Sequence, residues 1–150
     1  MDYDVLIDRG NSKINDEIFD YLKPKIGGNW LDVGCNGGQL LSEVANGIGI
    51  DLSPIMVAKA KERGLSITQG DGCHLPFSDK TFDTVVLSCV LEQTDHPEQM
   101  LTEAKRVCRG KVIGVTPLAG ASQWGTIGGN KWVKSFTTIA GSQKINETHC

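Results

Sequence analysis

No apolar run in the sequence approaches the ~20 residues needed to span a bilayer. The opening segment, MDYDVLIDRG, is acidic and lacks the basic-then-apolar pattern of a secretory signal. A cytoplasmic location is therefore expected. Basic charge is not in surplus either: 15 Lys and Arg face 18 Asp and Glu, a net charge of −3, so no nucleic-acid-binding face is advertised. Aromatic residues are only 6% of the chain and are not interleaved with basic clusters that would stack single-stranded nucleic acid. The five cysteines (Cys35, Cys73, Cys89, Cys108 and Cys150) are odd in number and far apart, so they cannot all pair within one chain. No CxxC or Cys/His cluster has zinc spacing, and reduced, mostly buried thiols with no metal site are expected. There is no internal repeat or low-complexity tract. The sequon Asn146-Glu147-Thr148 carries no weight without a secretory signal.

What is present is an ordinary globular composition, 39% hydrophobic and 22% charged over 150 residues, the length of one domain. Helix and strand signals alternate. Ile14, Ile18, Tyr21 and Leu22 share one face of a helix over 12–23, which Pro24 ends. An apolar strand over 29–33 enters the turn Gly34-Cys35-Asn36-Gly37-Gly38, and a helix carrying Leu40, Leu41, Val44 and Ala45 stops at Asn46-Gly47. A second strand covers 48–51. Ser53 and Pro54 then form a strong helix start, as N-cap and first helical residue. A weak third strand is read at 66–69 and a strong fourth at 82–90, where TVVLSCV is nearly continuous apolar sequence, as a strand buried on both faces requires. A helix over 97–109 and a fifth strand over 111–116 complete the alternation. This rhythm predicts an α/β sandwich of three layers with a parallel sheet, whose ligand crevice lies at the carboxyl ends of the strands. Residues 28–117 form the core of this single domain, and 118–150 are weakly patterned.

The strand-end residues carry the chemistry. The glycine turn after the first strand lets backbone approach a ligand and opens a helix whose first N–H groups are free. Alone, it fits either a dinucleotide site or a tight strand–helix joint. Asp51 ends the second strand nineteen residues past Asp32, where a carboxylate can accept both hydroxyls of a ribose, with Leu52 beside the nucleoside. After the third strand comes Gly70-Asp71-Gly72-Cys73, whose Asp can accept from an adenine amino group while the following N–H groups meet ring nitrogens.

The segments LDVGCNGGQLL, GIDLSPIMVAKA and GDGCHLPFSDKTFDTVVLSCVLEQTDHPEQMLTEAKRV, in this order and spacing, resemble class I S-adenosylmethionine-dependent methyltransferases. The small-molecule branch that includes ubiquinone and menaquinone C-methyltransferases is the nearest in flavour. The resemblance covers about residues 28–117. It implies a Rossmann-like sandwich with sheet order 3-2-1-4-5, S-adenosylmethionine as donor and S-adenosylhomocysteine as product. It also implies roles. Asp32 would steady the glycine loop, and Gly34, Cys35 and Gly38 would hold the methionine moiety. Asp51 and Leu52 would take the ribose side, and Asp71 and Gly72 the adenine side. The acceptor pocket would begin at Ser88 to Leu91.

Departures from the family pattern are informative. Asn36 stands where glycine is common, although Asn tolerates left-handed backbone angles. Cys108-Arg109-Gly110 replaces a Pro-Gly-Gly turn. Residues 118–150 are too few and too loosely patterned for the family's closing helix and antiparallel strand pair, so those strands are expected to be absent or incomplete. The fifth strand would then lie at an unprotected sheet edge, where a homodimer or a partner could dock. No Asp/Asn-Pro-Pro-Tyr/Phe motif follows the fourth strand, which speaks against methylation of bases or glutamine amides. The expected acceptor is a small organic molecule. Transfer by direct displacement requires alignment more than a strong base. Glu92 and His96 are the candidate bases; His96 precedes Pro97, where helix capping would also explain it, and His74 follows the adenine loop. Two other readings stay open: a donor-binding pseudoenzyme or fragment without turnover, and a nicotinamide-dependent Rossmann oxidoreductase, which the absence of GxGxxG disfavours.

Overall fold

The structure, a computed structural model, describes residues 12–117, 137–139 and 143–149. Helix α1 spans Ser12–Leu22 and is followed by a 3-10 turn at Lys23–Lys25 that contains Pro24. Ile18 and Leu22 bury its inner face. Strand β1 (Trp30–Val33) leads into the short helix α2 (Gln39–Glu43), and β2 (Gly47–Asp51) into α3 (Pro54–Glu62). Then come β3 (Ile67–Gln69), β4 (Phe82–Ser88), a 3-10 turn at Leu91–Gln93, α4 (Pro97–Val107), β5 (Cys108–Pro117), β6 (Thr137–Ile139) and β7 (Gln143–His149). As expected, Ser53 caps α3, its hydroxyl accepting from the Met56 N–H at 3.3 Å, with Pro54 opening the helix.

The sheet runs β3-β2-β1-β4-β5-β7-β6. Its first five strands are parallel and follow the expected order 3-2-1-4-5. The expectation for the last strands is corrected. Strand β7 lies antiparallel along β5 from Lys111↔His149 to Pro117↔Gln143, and β6 pairs antiparallel with β7. The outer edge of β5 is therefore covered, and the unprotected edge on which docking was expected is not there.

Strand alternation sends neighbouring side chains into two cores. Leu31, Val33, Val85 and Leu87 face α4, where Met100, Ala104 and Val107 meet them. Trp30, Val86 and Ile113 point the other way, onto Ile18 and Leu22 of α1, Leu40 and Leu41 of α2, and Val57 and Ala60 of α3. Each fully buried large side chain contributes ~1.5–3 kcal/mol. Helices thus cover both faces of the sheet.

Boundaries differ from expectation at α4. The helix stops at Val107, and Cys108 already pairs with Phe82 as the first residue of β5. The Thr81 N–H donates to the Val107 carbonyl at 2.8 Å, and Arg109 reaches Asp83 at 2.7 Å, so tertiary pairing pulls this segment out of the helix. A Cβ on Gly110 would collide with the Asp83 carbonyl, which explains glycine in the short connection. Of the cysteines, Cys35, Cys73 and Cys108 are buried and Cys89 is half-buried; Cys150 lies outside the described residues. Among the described residues no helix is long and apolar enough to cross a membrane.

Candidate functional site

The glycine turn is fastened to the end of β2. Backbone N–H groups of Gly34 and Cys35 both donate to the Ile50 carbonyl, at 2.8 and 3.2 Å. Gly34 has φ +72°, and a Cβ there would lie 2.5 Å from Val90 Cγ2, so only glycine fits both the angle and the space. Asn36 also takes a left-handed angle, φ 53°. Its N–H donates to Asp51 Oδ2 at 2.9 Å, while Asp51 Oδ1 accepts from the Ser53 N–H at 2.9 Å. One carboxylate at the end of β2 thus ties the loop after β1 to the loop after β2. The resemblance gave loop-steadying to Asp32; the N–H bond goes to Asp51.

Asp32 is in a different state. It is 4% exposed on β1, buried beneath the site. Burial, and then the charge of Asp51, push its pKa up to about 8. The same surroundings raise the Cys35 thiol: burial first, then Asp32 and Asp51. Cys35 sits beneath the loop, close against the backbone of Gly49.

The segment after β3 is strapped down by α4. The Cys73 N–H donates to Asp71 Oδ1 at 2.8 Å, which is the main cause of the lowered Asp71 pKa, and Gln99 Nε2 donates to the Cys73 carbonyl at 3.2 Å. The Leu75 N–H donates to Glu103 Oε2 at 2.9 Å. Arg106 donates to the carbonyls of Leu75 (3.0 Å) and Phe77 (2.8 Å), and pairs with Asp79 and Glu103. The Glu103 and Asp79 carboxylates hold the Arg106 pKa above its ordinary value, Glu103 the more strongly. Phe77 sets its ring edge-on to Phe82 at 5.1 Å. A Cβ on Gly72 would lie 2.7 Å from Val33 Cγ1, so the strap presses directly on the end of β1.

After β4 the backbone turns through a left-handed angle at Cys89, φ 53°. The Cys89 N–H is held by the Val115 carbonyl at 2.8 Å, and the Cys89 carbonyl accepts from Gln93 Nε2 at 2.6 Å. Glu92 lies in the following turn, and its side chain is outside the described residues. His96 precedes α4 without capping it: its side chain makes no cap bond and is exposed, while its carbonyl accepts from the Met100 N–H at 3.1 Å. His74 is exposed beside Asp71, Nδ1 to Oδ2 3.3 Å.

These loops enclose a cavity of about 570 Å³ at the carboxyl ends of the strands. Gly34, Asp51, Leu52, Asp71, Gly72 and His96 all line it, which brings together six of the residues singled out from sequence. Asp32, Cys35, Gly38 and Ser88 do not line it. Leu52, directly after Asp51, is 65% exposed, an apolar side chain standing uncovered at the cavity wall. Cys73 and Val90 also line it, within the segments the sequence offered for the adenine side and the start of the acceptor pocket, whereas sequence reasoning missed Gln93 and Met100. Met100 had read as core alone, and the only sequence signal for Gln93 was its position after the fourth strand.

Comparison with known proteins agrees with this geometry. The family model described as "Methyltransferase domain" matches residues 31–114. A phosphatidylethanolamine N-methyltransferase of Cereibacter sphaeroides is 37% identical over 106 residues, covering 62% of this chain and 52% of that protein. A demethylmenaquinone methyltransferase of Lactobacillus johnsonii is 34% identical over 113 residues, covering 64% of this chain and 46% of that protein. The chain spans about half the length of these curated relatives. In structure, an S-adenosylmethionine-dependent methyltransferase from Aquifex aeolicus superposes with TM-score 0.69 at 18% identity, covering 89% of this chain and 88% of that one, a likeness of fold. The matched segment contains the glycine loop, Asp51, the strap and the turn after β4, and the chain belongs to the class I S-adenosylmethionine-dependent methyltransferases, near the ubiquinone and menaquinone branch.

Proposed function

We propose that the chain binds S-adenosylmethionine in the cavity at the carboxyl ends of β1 to β4 and directs its methyl group to a small organic acceptor by direct displacement. The observation that carries this reading is the convergence of Asp51, Leu52, Asp71 and Gly72, from two separate strand ends, on one cavity. Bound there, the donor supplies a methyl group already activated on a sulfonium. The cavity's volume, its glycine-lined floor at Gly34 and the uncovered Leu52 beside a carboxylate suit a nucleoside with a polar tail.

In this reading the chain's own residues bind, orient and exclude water. The Asn36 and Ser53 N–H groups fix the Asp51 carboxylate at the end of β2, where it would accept the ribose hydroxyls. Leu52 covers the nucleoside and sheds its own exposure. Asp71 and Gly72 meet the adenine edge, held in place through Glu103 and Arg106. Asp32, Cys35 and Gly38 support the methionine end from around the loop, and Ser88 to Leu91 open towards the acceptor. Alignment lowers the barrier without requiring a base. For an acceptor that must lose a proton, Glu92 and His96 are the candidates, and His96 borders the cavity. Relatives named for demethylmenaquinone and for phosphatidylethanolamine support an organic acceptor over nucleic acid or protein.

Calorimetric titration with S-adenosylhomocysteine tests the reading. Micromolar binding at one site per chain is expected; no binding by a folded chain would overturn it. NADH should not bind, which separates this reading from a nicotinamide enzyme.

A further inference from the structure

The glycine loop is a demanding course for a backbone. Gly34, Asn36 and Gly38 take left-handed angles of φ 72°, 53° and 82° within one short turn. Its N–H groups are held from the end of β2 and from within the loop: Gly34 and Cys35 donate to the Ile50 carbonyl, Asn36 to Asp51, and Gly38 to the Cys35 carbonyl at 3.0 Å. The far side of the loop is held from the opposite end of α3. There Arg63 Nη1 donates to the Gly37 carbonyl at 3.2 Å, a contact between residues 26 apart in sequence.

Two features give this contact weight. The backbone that carries Arg63 is fixed, because the Gly64 N–H donates to the Lys61 carbonyl at 2.9 Å and the Leu65 N–H to the Ala60 carbonyl at 3.2 Å, with Gly64 at φ 74°. This is a glycine-ended helix cap, and Arg63 stands at its hinge. The same cap also seats Leu65 on the loop: a Cβ on Gly38 would collide with Leu65 Cδ1 and lie 3.5 Å from Ala60 Cβ. Consecutive loop residues, Gly37 and Gly38, thus meet Arg63 and Leu65 of one cap. Helix α3 braces the cavity from both ends, through the Ser53 N–H on Asp51 at its start and Arg63 on the loop at its finish. Arg63 itself is exposed, so no core packing calls for a guanidinium at this position.

We propose that Arg63 is a positioning residue for the donor: holding the Gly37 carbonyl from the end of α3, it keeps the glycine loop in the left-handed course that receives the methionine moiety. This rests on the donor reading above and adds to it a residue outside the cavity wall.

Calorimetry on the full chain with two probes tests it. S-adenosylhomocysteine carries the amino-acid end that the loop receives; 5′-methylthioadenosine keeps the nucleoside and sulfur but lacks that end. Arg63→Met keeps an unbranched side chain and removes the guanidinium. It should weaken S-adenosylhomocysteine about fivefold or more and methylthioadenosine less than about twofold, and Arg63→Lys, which retains a cationic N–H donor, should recover part of the loss. In the free protein, amide exchange at Gly38 and Ser42, whose N–H groups bond within and just after the loop, should quicken in Arg63→Met. Equal weakening of both probes would mean that Arg63 supports the chain in general, and overturns the proposal. An Arg63→Met chain that binds both probes as the parent does overturns it while the donor reading stands. A folded parent that binds neither probe overturns the donor reading, and the role of Arg63 with it.

Discussion

The glycine loop after β1 and the strap after β3 border the same cavity, yet they are held in opposite ways. The strap is rich in partners: Glu103, Gln99 and Arg106 of α4 satisfy its backbone at Cys73, Leu75 and Phe77, and its first residues, Gly70 to Cys73, face the cavity. Around the loop, polar groups are in short supply of partners. Asp32 is buried with its pKa raised, Asn36 keeps an unpaired oxygen, and the loop's side-chain anchors are Asp51 at the Asn36 N–H and Arg63 at the Gly37 carbonyl. Where protein satisfies protein, the segment is a positioned wall. Where it does not, the unsatisfied groups await something else.

The most forceful way to break this contrast is to remove the charge problem at Asp32. Its folded pKa of about 8 lies above the ordinary value of 3.8, so between those limits the folded chain holds a proton that the unfolded chain has lost. Stability of the free protein should therefore fall as pH rises through that window, by up to roughly 1.4 kcal/mol per pH unit for this one group. Asp32→Asn should flatten the dependence and be more stable than the parent at pH 8. Urea unfolding at pH 5, 6.5 and 8 decides it, and a parent protein with flat stability across that range would show that Asp32 is not held neutral.

Asp51→Ala comes next, because the Asp51 carboxylate ties the glycine loop to the loop after β2. It should weaken S-adenosylhomocysteine by about 2 kcal/mol or more, roughly thirtyfold. The N–H groups of Asn36 and Ser53 would lose their acceptor, so faster amide exchange at those positions should accompany the loss. Unchanged affinity would mean that the ribose lies elsewhere.

Arg106→Ala tests the strap. Losing the bonds to Leu75 and Phe77 should cost ~1–3 kcal/mol and raise amide exchange across 73–79 while leaving the glycine loop protected. Equal loosening of both segments would dissolve the distinction between them. Arg109→Ala is the small-effect control. Its pair with Asp83 is solvent-exposed and far from the cavity, so a change below ~1 kcal/mol in stability and none in ligand affinity is expected.

The legibility of the sequence follows the same contrast. Gly34, Asp51, Leu52, Asp71 and Gly72 could be read because each stands at or within three residues of the end of a parallel strand, and strand ends are fixed by local apolar runs. Their common cavity is then a property of the sheet order. The strap's restraints could not be read, since Leu75 and Arg106 are 31 residues apart and nothing local shows that α4 turns its polar edge towards the third loop. Nor could spacing tell which of Asp32 and Asp51 takes the Asn36 N–H; that depends on how the turn after β1 folds over the end of β2. The last two strands were missed for a simpler reason. Thr137–Ile139 is short and Gln143–His149 is mostly polar, so neither shows the apolar period of a buried strand.

Those strands have a consequence for the molecule in concentrated solution. Among the described residues the sheet ends on β3 at one side and β6 at the other, and each is three residues long. A short outer strand presents few unpaired amides for another chain to template on, whereas the ten-residue β5 would have offered a long ladder for cross-strand polymerisation. By laying β7 along it, the fold turns its most aggregation-prone border into interior.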